Sequence, residues 1–374
     1  MLRALALALI LGACTTANPS VTPTPAPTRD PNAINVTALL DLSGARTPNG
    51  GAQRDALQLW ADQHASAVPR VRLRIVDVAS SPSKTVLELR RAAVEERADA
   101  IVIGVGIDYD DAFASAVQLA GVPVLFTLPI PEPATTSGGW AFALAPTPAQ
   151  LARAVLDDAA TRVVLSAAVI VSDESTTAIG ERAALQTELV RRRVTPSVLM
   201  VTPSDVALKL RPLLPLAPVA ILAGTPKTYL EAARSATAGT ALYLSYLCDY
   251  GDLGELRDAA AFAAWPGTRW IATPAAAGTA SAPRVAFVQA FNDRAGPATS
   301  VAATAYDALA LIAAGAETAA DADAMRGRLE SGTFAGVATT YSFSRSQHAG
   351  FNANDLAILR YVGPRAQPSL RLGV

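Results

Sequence analysis

The chain has 374 residues, of which 51% are hydrophobic and 17% charged, and its formal net charge is −1. Such a composition supports a large buried core and excludes a disordered chain. The near-zero charge excludes the electrostatic footprint of a nucleic-acid binder or a polybasic membrane patch. Cys14 and Cys248 are its only cysteines, so no disulfide framework organises the fold.

The first element is an export signal. Arg3 supplies a positive charge, Ala4 to Leu11 form a short apolar run, and Leu11-Gly12-Ala13-Cys14 closes it with small residues. About 20 apolar residues are needed to span a bilayer, so this run is too short to be a membrane helix. The quartet looks like a bacterial lipobox, in which residues 1–13 are removed and Cys14 becomes the lipidated first residue. Residues 14–31 then act as a tether, because Thr15 to Pro31 is Thr, Pro and Ala without hydrophobic period. A segment of that kind stays solvated and reaches roughly 25 to 50 Å.

The remaining chain reads as strands alternating with helices, the pattern of parallel sheets with crossover helices. Asn35 to Leu40 is a strand, followed by a turn and a helix from about Gln53 to His64. Val71, Leu73 and Ile75 alternate with arginines, which predicts a strand with one exposed face. A helix over Thr85 to Glu96, a buried strand at Ala100 to Gly104, a helix over Asp110 to Ala120 and a strand at Val122 to Thr127 complete one α/β layer. The second set starts with a helix at Ala149 to Ala160. Strands follow at Ala167 to Val171, Val198 to Val201, Val219 to Ala223, Thr240 to Tyr246 and Trp270 to Thr273, with helices at Ile179 to Arg192 and Tyr229 to Ala236. Helices over Val285 to Asp293, Ser300 to Ala314 and Asp321 to Glu330 come next, placed so as to return to the first layer. Strand-like runs at Thr340 to Phe343 and Leu356 to Val362 end the chain. The expectation is two Rossmann-like α/β lobes, residues 32–145 with 272–340 and residues 146–271 with 341–374, joined by several strands around a cleft.

The motifs along this pattern resemble the type I periplasmic solute-binding proteins of the branched-chain amino acid receptor kind. Val36 to Gly44 matches the opening strand ending in Leu-Ser-Gly, and Asp77 matches an aspartate after the second strand. Gly121 to Leu125, Ala167 to Gly180, Ala220 to Pro226 and Thr299 to Glu317 follow in family order, then Phe334-Ala335-Gly336-Val337 and Tyr341-Ser342-Phe343. No single motif is specific; their order carries the resemblance. It implies a monomeric extracytoplasmic receptor that closes on a small solute for an ABC permease in the membrane.

Ligands of open α/β sheets sit beyond the carboxyl ends of the strands. That rule selects the loops Ser43 to Gly51, Gly106 to Asp111, Thr127 to Pro129, Ser172 to Thr177 and Tyr246 to Asp249. In the family, first-lobe hydroxyls and N–H groups hold an amino acid's carboxylate, and a second-lobe acid and aromatic meet its ammonium. By that resemblance Ser43 and Thr127 serve the carboxylate, Asp249 the ammonium, and Tyr246 is a lid. Two departures redirect the ligand. The run Ile107-Asp108-Tyr109-Asp110-Asp111 puts acids where the family offers serines, and they repel a carboxylate. Thr177 stands where the family has an aromatic wall. With Asp108, Tyr109 and Thr177 as further site residues, an amino acid is one candidate, and a neutral, amide-bearing or cationic solute fits the acids Asp108 and Asp249 better.

Catalysis finds little footing. His64 and His348 read as surface residues without metal-ligand spacing, the Gly104-x-Gly106 pair lacks a dinucleotide fingerprint, and neither metal nor cofactor is expected. The alternative reading is a lipoprotein of the same fold that regulates a cell-envelope enzyme by protein contact.

Overall fold

The computed structural model describes residues 32–360, apart from 45–46, 214–218, 225–227, 229–231, 233–240, 248–268, 276–280 and 318, together with the backbone of Arg371–Leu372. Cys14, Cys248, Asp249 and most of the helix expected at Tyr229 to Ala236 lie outside the described residues.

Two sheets follow from the two sets of β-branched runs. The first contains β1 (Ala33–Leu40), β2 (Arg70–Asp77), β3 (Ala100–Gly104), β4 (Val124–Phe126) and β5 (Ala141–Ala143) in the order β2-β1-β3-β4-β5, all parallel. β3 is buried along its whole length because helices cover both faces of a parallel sheet. β2 lies at the edge, which explains why Arg70, Arg72 and Arg74 alternate outward. Its helices are α1 (Thr47–Gln63), α2 (Pro82–Val94) and α3 (Asp111–Ala120). Ser81 and Asp110 cap α2 and α3 through their side chains, and Gly121 ends α3 in the left-handed region at φ 62°.

The second sheet runs β14-β13-β10-β9-β8-β6-β7. Here β6 (Ala168–Ser172), β7 (Pro196–Met200), β8 (Val219–Ala223), β9 (Ala241–Leu244) and β10 (Arg269–Ala272) are parallel, while β13 (Ala357–Arg360) and β14 (Arg371–Leu372) return antiparallel. Its helices are α4 (Pro148–Arg162), α5 (Thr176–Arg191) and the short α6 (Val206–Leu210). Thr147 and Gln150 form a reciprocal capping box that starts α4, with Pro148 in the first turn.

The chain then runs through α7 (Ala282–Ala295), α8 (Ser300–Ala316) and α9 (Ala322–Ser331), followed by a hairpin of β11 (Thr333–Ala335) and β12 (Thr340–Ser342). As the sequence order predicts, α8 returns to the first sheet. Leu309 and Ile312 are buried with Leu57, Trp60, Val102 and Phe142 in one apolar cluster. Tyr341, Phe343 and Phe351 also enter that cluster. Another cluster joins Leu128, Ala145 and Val301 to Tyr246, Leu247 and Ile271, so apolar packing continues from one sheet to the other.

The structure departs from the sequence pattern at several places, including α6, β11 and β14, which no predicted element covers. α1 starts at Thr47 rather than near Gln53, because Pro48 is tolerated in a first turn and Gly50 packs against β1. A Cβ on Gly50 would lie 1.8 Å from the Asp41 carbonyl oxygen, so only glycine fits that approach. β5 is a strand that no alternating run announced; its three residues are held by β4 and by a bridge from Ala143 to Ala349. His348 corrects the surface reading: it is fully buried. Its ring stacks on Phe142 at 4.3 Å, Nδ1 lies 2.7 Å from the Ala141 carbonyl oxygen, and Nε2 lies 3.4 Å from Glu330.

α8 also carries a buried acid. The Asp307 carboxyl accepts from the N–H groups of Val337 and Ala338 at 2.7 and 2.8 Å and from the Tyr341 hydroxyl at 3.0 Å, pinning the hairpin turn to the helix. Burial pushes it up to about 7, against the pull of those donors. The folded value thus lies above the unfolded one, so the group favours folding most below pH 3.8. That contribution is lost as pH rises towards 7, where the folded state still resists ionisation. Urea denaturation across this range is expected to show the falling component in the native chain and its absence in Asp307→Asn.

Candidate ligand-binding cleft

The carboxyl ends of the two sheets face one another. The Thr176 hydroxyl, in the first turn of α5, donates to the Gly106 carbonyl beyond β3 at 3.0 Å. This bond brings the loop of Asp108 and Tyr109 against the loop that carries Thr177. Asp108 is exposed on the first side, and Thr177 is buried on the second. Asp110 caps α3 by accepting from the Phe113 N–H at 2.7 Å, leaving Asp108 outside that role.

Tyr109 is half-buried, edge-on to Phe126 with centroids 5.5 Å apart, and its hydroxyl lies 3.5 Å from Thr136 Oγ1. Burial pushes its phenol up, partly offset by Thr136 and Ser137, while the Glu132 carboxylate pushes it further. Glu132 itself accepts from the N–H groups of Ala134, His348 and Ala349, which fixes the loop after β4.

The predicted carboxylate-side hydroxyls serve the framework. Ser43 is exposed, but its hydroxyl donates to Asp77 Oδ2 at 2.6 Å. Asp77 also accepts from the N–H groups of Leu42, Ser43 and Ala79. Partial desolvation pushes the Asp77 carboxyl up, and these four donors more than reverse it, holding it below the ordinary aspartate value. Thr127 is fully buried; its hydroxyl donates to Gln53 Oε1, and Gln53 Nε2 donates to the Gly104 carbonyl at 3.0 Å. The Thr127 carbonyl in turn accepts from the Thr304 hydroxyl at 3.1 Å.

On the second side Tyr246 is 1% exposed and packs with Leu247 and Ile271, so its ring belongs to the apolar wall. Asp249 lies outside the described residues. Asp173, at the end of β6, is buried and accepts from Ser175 and from the Thr228 hydroxyl. Glu181 of α5 accepts from Ser245 at 2.7 Å beside β9. Among the described residues no group of three His, Cys, Asp or Glu side chains is placed to hold a metal.

Sequence reasoning missed Gln53, Asn49 and Asp173. The first two had a usable signal, since Asn49, Gln53, Ala56 and Trp60 share the buried face of α1 and two of them are polar. Asp173 lay inside the selected loop Ser172 to Thr177, but an acid after a strand is ordinarily solvated and nothing local marked it as buried.

The periplasmic binding protein family model matches residues 33–364, nearly the whole described body. The chain belongs to the periplasmic binding protein family. Membership indicates an extracytoplasmic solute-binding protein. Several solved structures share the fold of this periplasmic binding protein. The leucine-binding protein LivK of Thermotoga maritima superposes with a TM-score of 0.77 at 13% identity, covering 91% of this chain and 98% of that one. The branched-chain amino acid substrate-binding protein LivJ of Streptococcus pneumoniae, in complex with isoleucine, gives 0.74 at 15%, with 91% and 100% covered. A solute-binding protein of an ABC transporter from Rhodopseudomonas palustris, in complex with 3,4-dihydroxybenzoic acid, gives 0.75 at 16%, with 91% and 97% covered. At these identities the likeness concerns the fold. No curated protein matches the chain in sequence.

A framework role for Thr127 has a measurable consequence. Thr127→Val keeps the shape but leaves the buried Gln53 oxygen without its donor. Urea denaturation is expected to show a loss of about 1 to 3 kcal/mol in the ligand-free protein, and Thr127→Ser is expected to restore most of it.

Proposed function

We propose that this protein is the lipid-anchored solute-binding component of an ABC importer, taking up a small amide-bearing or cationic solute between two lobes. The observation that carries the reading is the Thr176–Gly106 hydrogen bond, which joins the loops at the carboxyl ends of both sheets. A solute touching both loop sets stabilises the closed form in proportion to its extra contacts there, and the permease reads the closed face. The lobes expected from the sequence are residues 32–145 with 272–340 and residues 146–271 with 341–374; packing of Tyr341, Phe343 and Phe351 in the first-sheet cluster favours moving the stretch from Tyr341 to Phe351 to the first lobe. The receptor works as a monomer by binding and release, without a cofactor or chemical step.

Charge supports the choice of solute. Asp108, Asp110, Asp111 and Glu174 are exposed on the facing loops, and Asp77 is held in its ionised form. An ammonium or amide meets such carboxylates favourably, whereas a free carboxylate is repelled. Cys14 and its Pro/Thr tether supply the anchor, keeping the receptor near the permease.

A thermal-shift panel of amino acids, amino-acid amides, polyamines and small carboxylates tests the reading. A rise of several degrees for one class is expected, with affinity reduced several-fold in Asp108→Asn for a cationic solute and that reduction shrinking at high salt. A flat response across the panel overturns the receptor reading in favour of the regulatory lipoprotein. For the anchor, Cys14→Ser is expected to move the protein from the membrane fraction to the soluble fraction of a cell lysate.

A further inference from the structure

Two polar side chains, on α1 and just after β10, are buried and unsatisfied. Asn49 is 3% exposed and Thr273 is fully buried, and neither Asn49 Nδ2 nor Thr273 Oγ1 has a hydrogen-bond partner among the described residues. Groups of this kind are nearly always paired in a folded protein, so each requires an explanation.

Their positions follow from helix register. Gln53 of α1 bonds to Gly104 and Thr127, which places it level with the carboxyl ends of β3 and β4. Asn49 precedes it by four residues on the same buried face, about 6 Å further towards the N-terminus of α1 and beyond those ends. α8 repeats the arrangement. Thr304 bonds to the Thr127 carbonyl, and Ser300, one turn nearer the helix N-terminus, accepts from the Thr273 N–H at 3.0 Å. α1 and α8 pack together in one apolar cluster. Asn49 and Thr273 are therefore carried by elements that converge one turn beyond Thr127, on the side where the loops of both sheets meet.

We infer that Asn49 and Thr273 form a carboxamide-reading subsite at the base of the cleft. The Asn49 amide donates to the ligand's carbonyl oxygen, and the Thr273 hydroxyl accepts from its N–H. A donor beside a hydroxyl complements an amide, which presents one acceptor and one donor. Charge argues against a carboxylate in this place: Gly50, next to Asn49, packs on the backbone of Asp41, and the Asp41 side chain is itself buried. Ligand binding satisfies both groups and closes the lobes over them, while an acid of the same shape brings a second carboxyl group close to Asp41.

The inference rests on the solute-binding reading and names the ligand chemistry for it. Isothermal titration and thermal shift on the native chain compare acetamide, propionamide and glycinamide with acetate, propionate and glycine. Amides are expected to bind at least about tenfold tighter than their matched acids. Asn49→Asp, which exchanges donor for acceptor, and Thr273→Val, which removes the hydroxyl, are each expected to weaken amide binding about tenfold. Asn49→Leu separates this role from a structural one. It is expected to raise the melting temperature of the ligand-free protein and to abolish the amide-induced shift, whereas loss of a structural contact lowers the melting temperature. Binding of amines or acids alone, with Asn49→Leu leaving that affinity unchanged, overturns the subsite and leaves the receptor reading standing. A native chain that responds to no solute in this or the wider panel overturns both.

Discussion

The buried bonds on Thr127 hold the first half of the protein in register with its cleft. One residue at the end of β4 gives its hydroxyl to Gln53 of α1 and its carbonyl to Thr304 of α8, while Gln53 reaches the end of β3. Two strands and two helices from distant parts of the chain are thereby fixed at one level. Because the helices run back from the cleft, everything one turn nearer their N-termini is delivered to the space between the sheets. The cost of leaving any of these buried groups unpaired makes the arrangement all-or-none.

α8 couples this level to the rest of the body. Its first turn meets β10 through Ser300 and Thr273, and its middle holds the β11–β12 hairpin through Asp307. Leu309 and Ile312 lie in the core beneath the first sheet. The Tyr246 ring of the second half lies within electrostatic reach of Tyr341, which Asp307 holds. One helix thus bonds to the ends of strands from both sheets.

Much of the architecture was legible in the sequence because it rests on local pattern. The β-branched runs at β1, β3, β6 and β8 and the arginine alternation of β2 are local signals. What was not legible depended on contacts across the chain. β5 is three residues paired with β4 and bridged to Ala349, and His348 reads as a polar turn until Phe142 stacks on it. Asp108 and Thr177 were selected by the rule that ligands meet strand ends, and the Thr176–Gly106 bond brings their loops together. Thr127 was found by the same rule, yet its hydroxyl is turned to Gln53, 74 positions away in sequence.

The sequence by itself determined the α/β class, the order of elements, the family resemblance, and the acidic character of the loop beyond β3. These follow from residue type and spacing, which act over a few residues. Only the tertiary structure decided which polar side chains are paired and which are buried without a partner among the described residues. Ser43 and Asn49 look alike as candidate donors in the sequence, but one finds Asp77 and the other is buried without a partner among the described residues. Pairing of that kind is set by distance and desolvation between segments far apart in the chain, and neither quantity exists until the sheets and helices have packed.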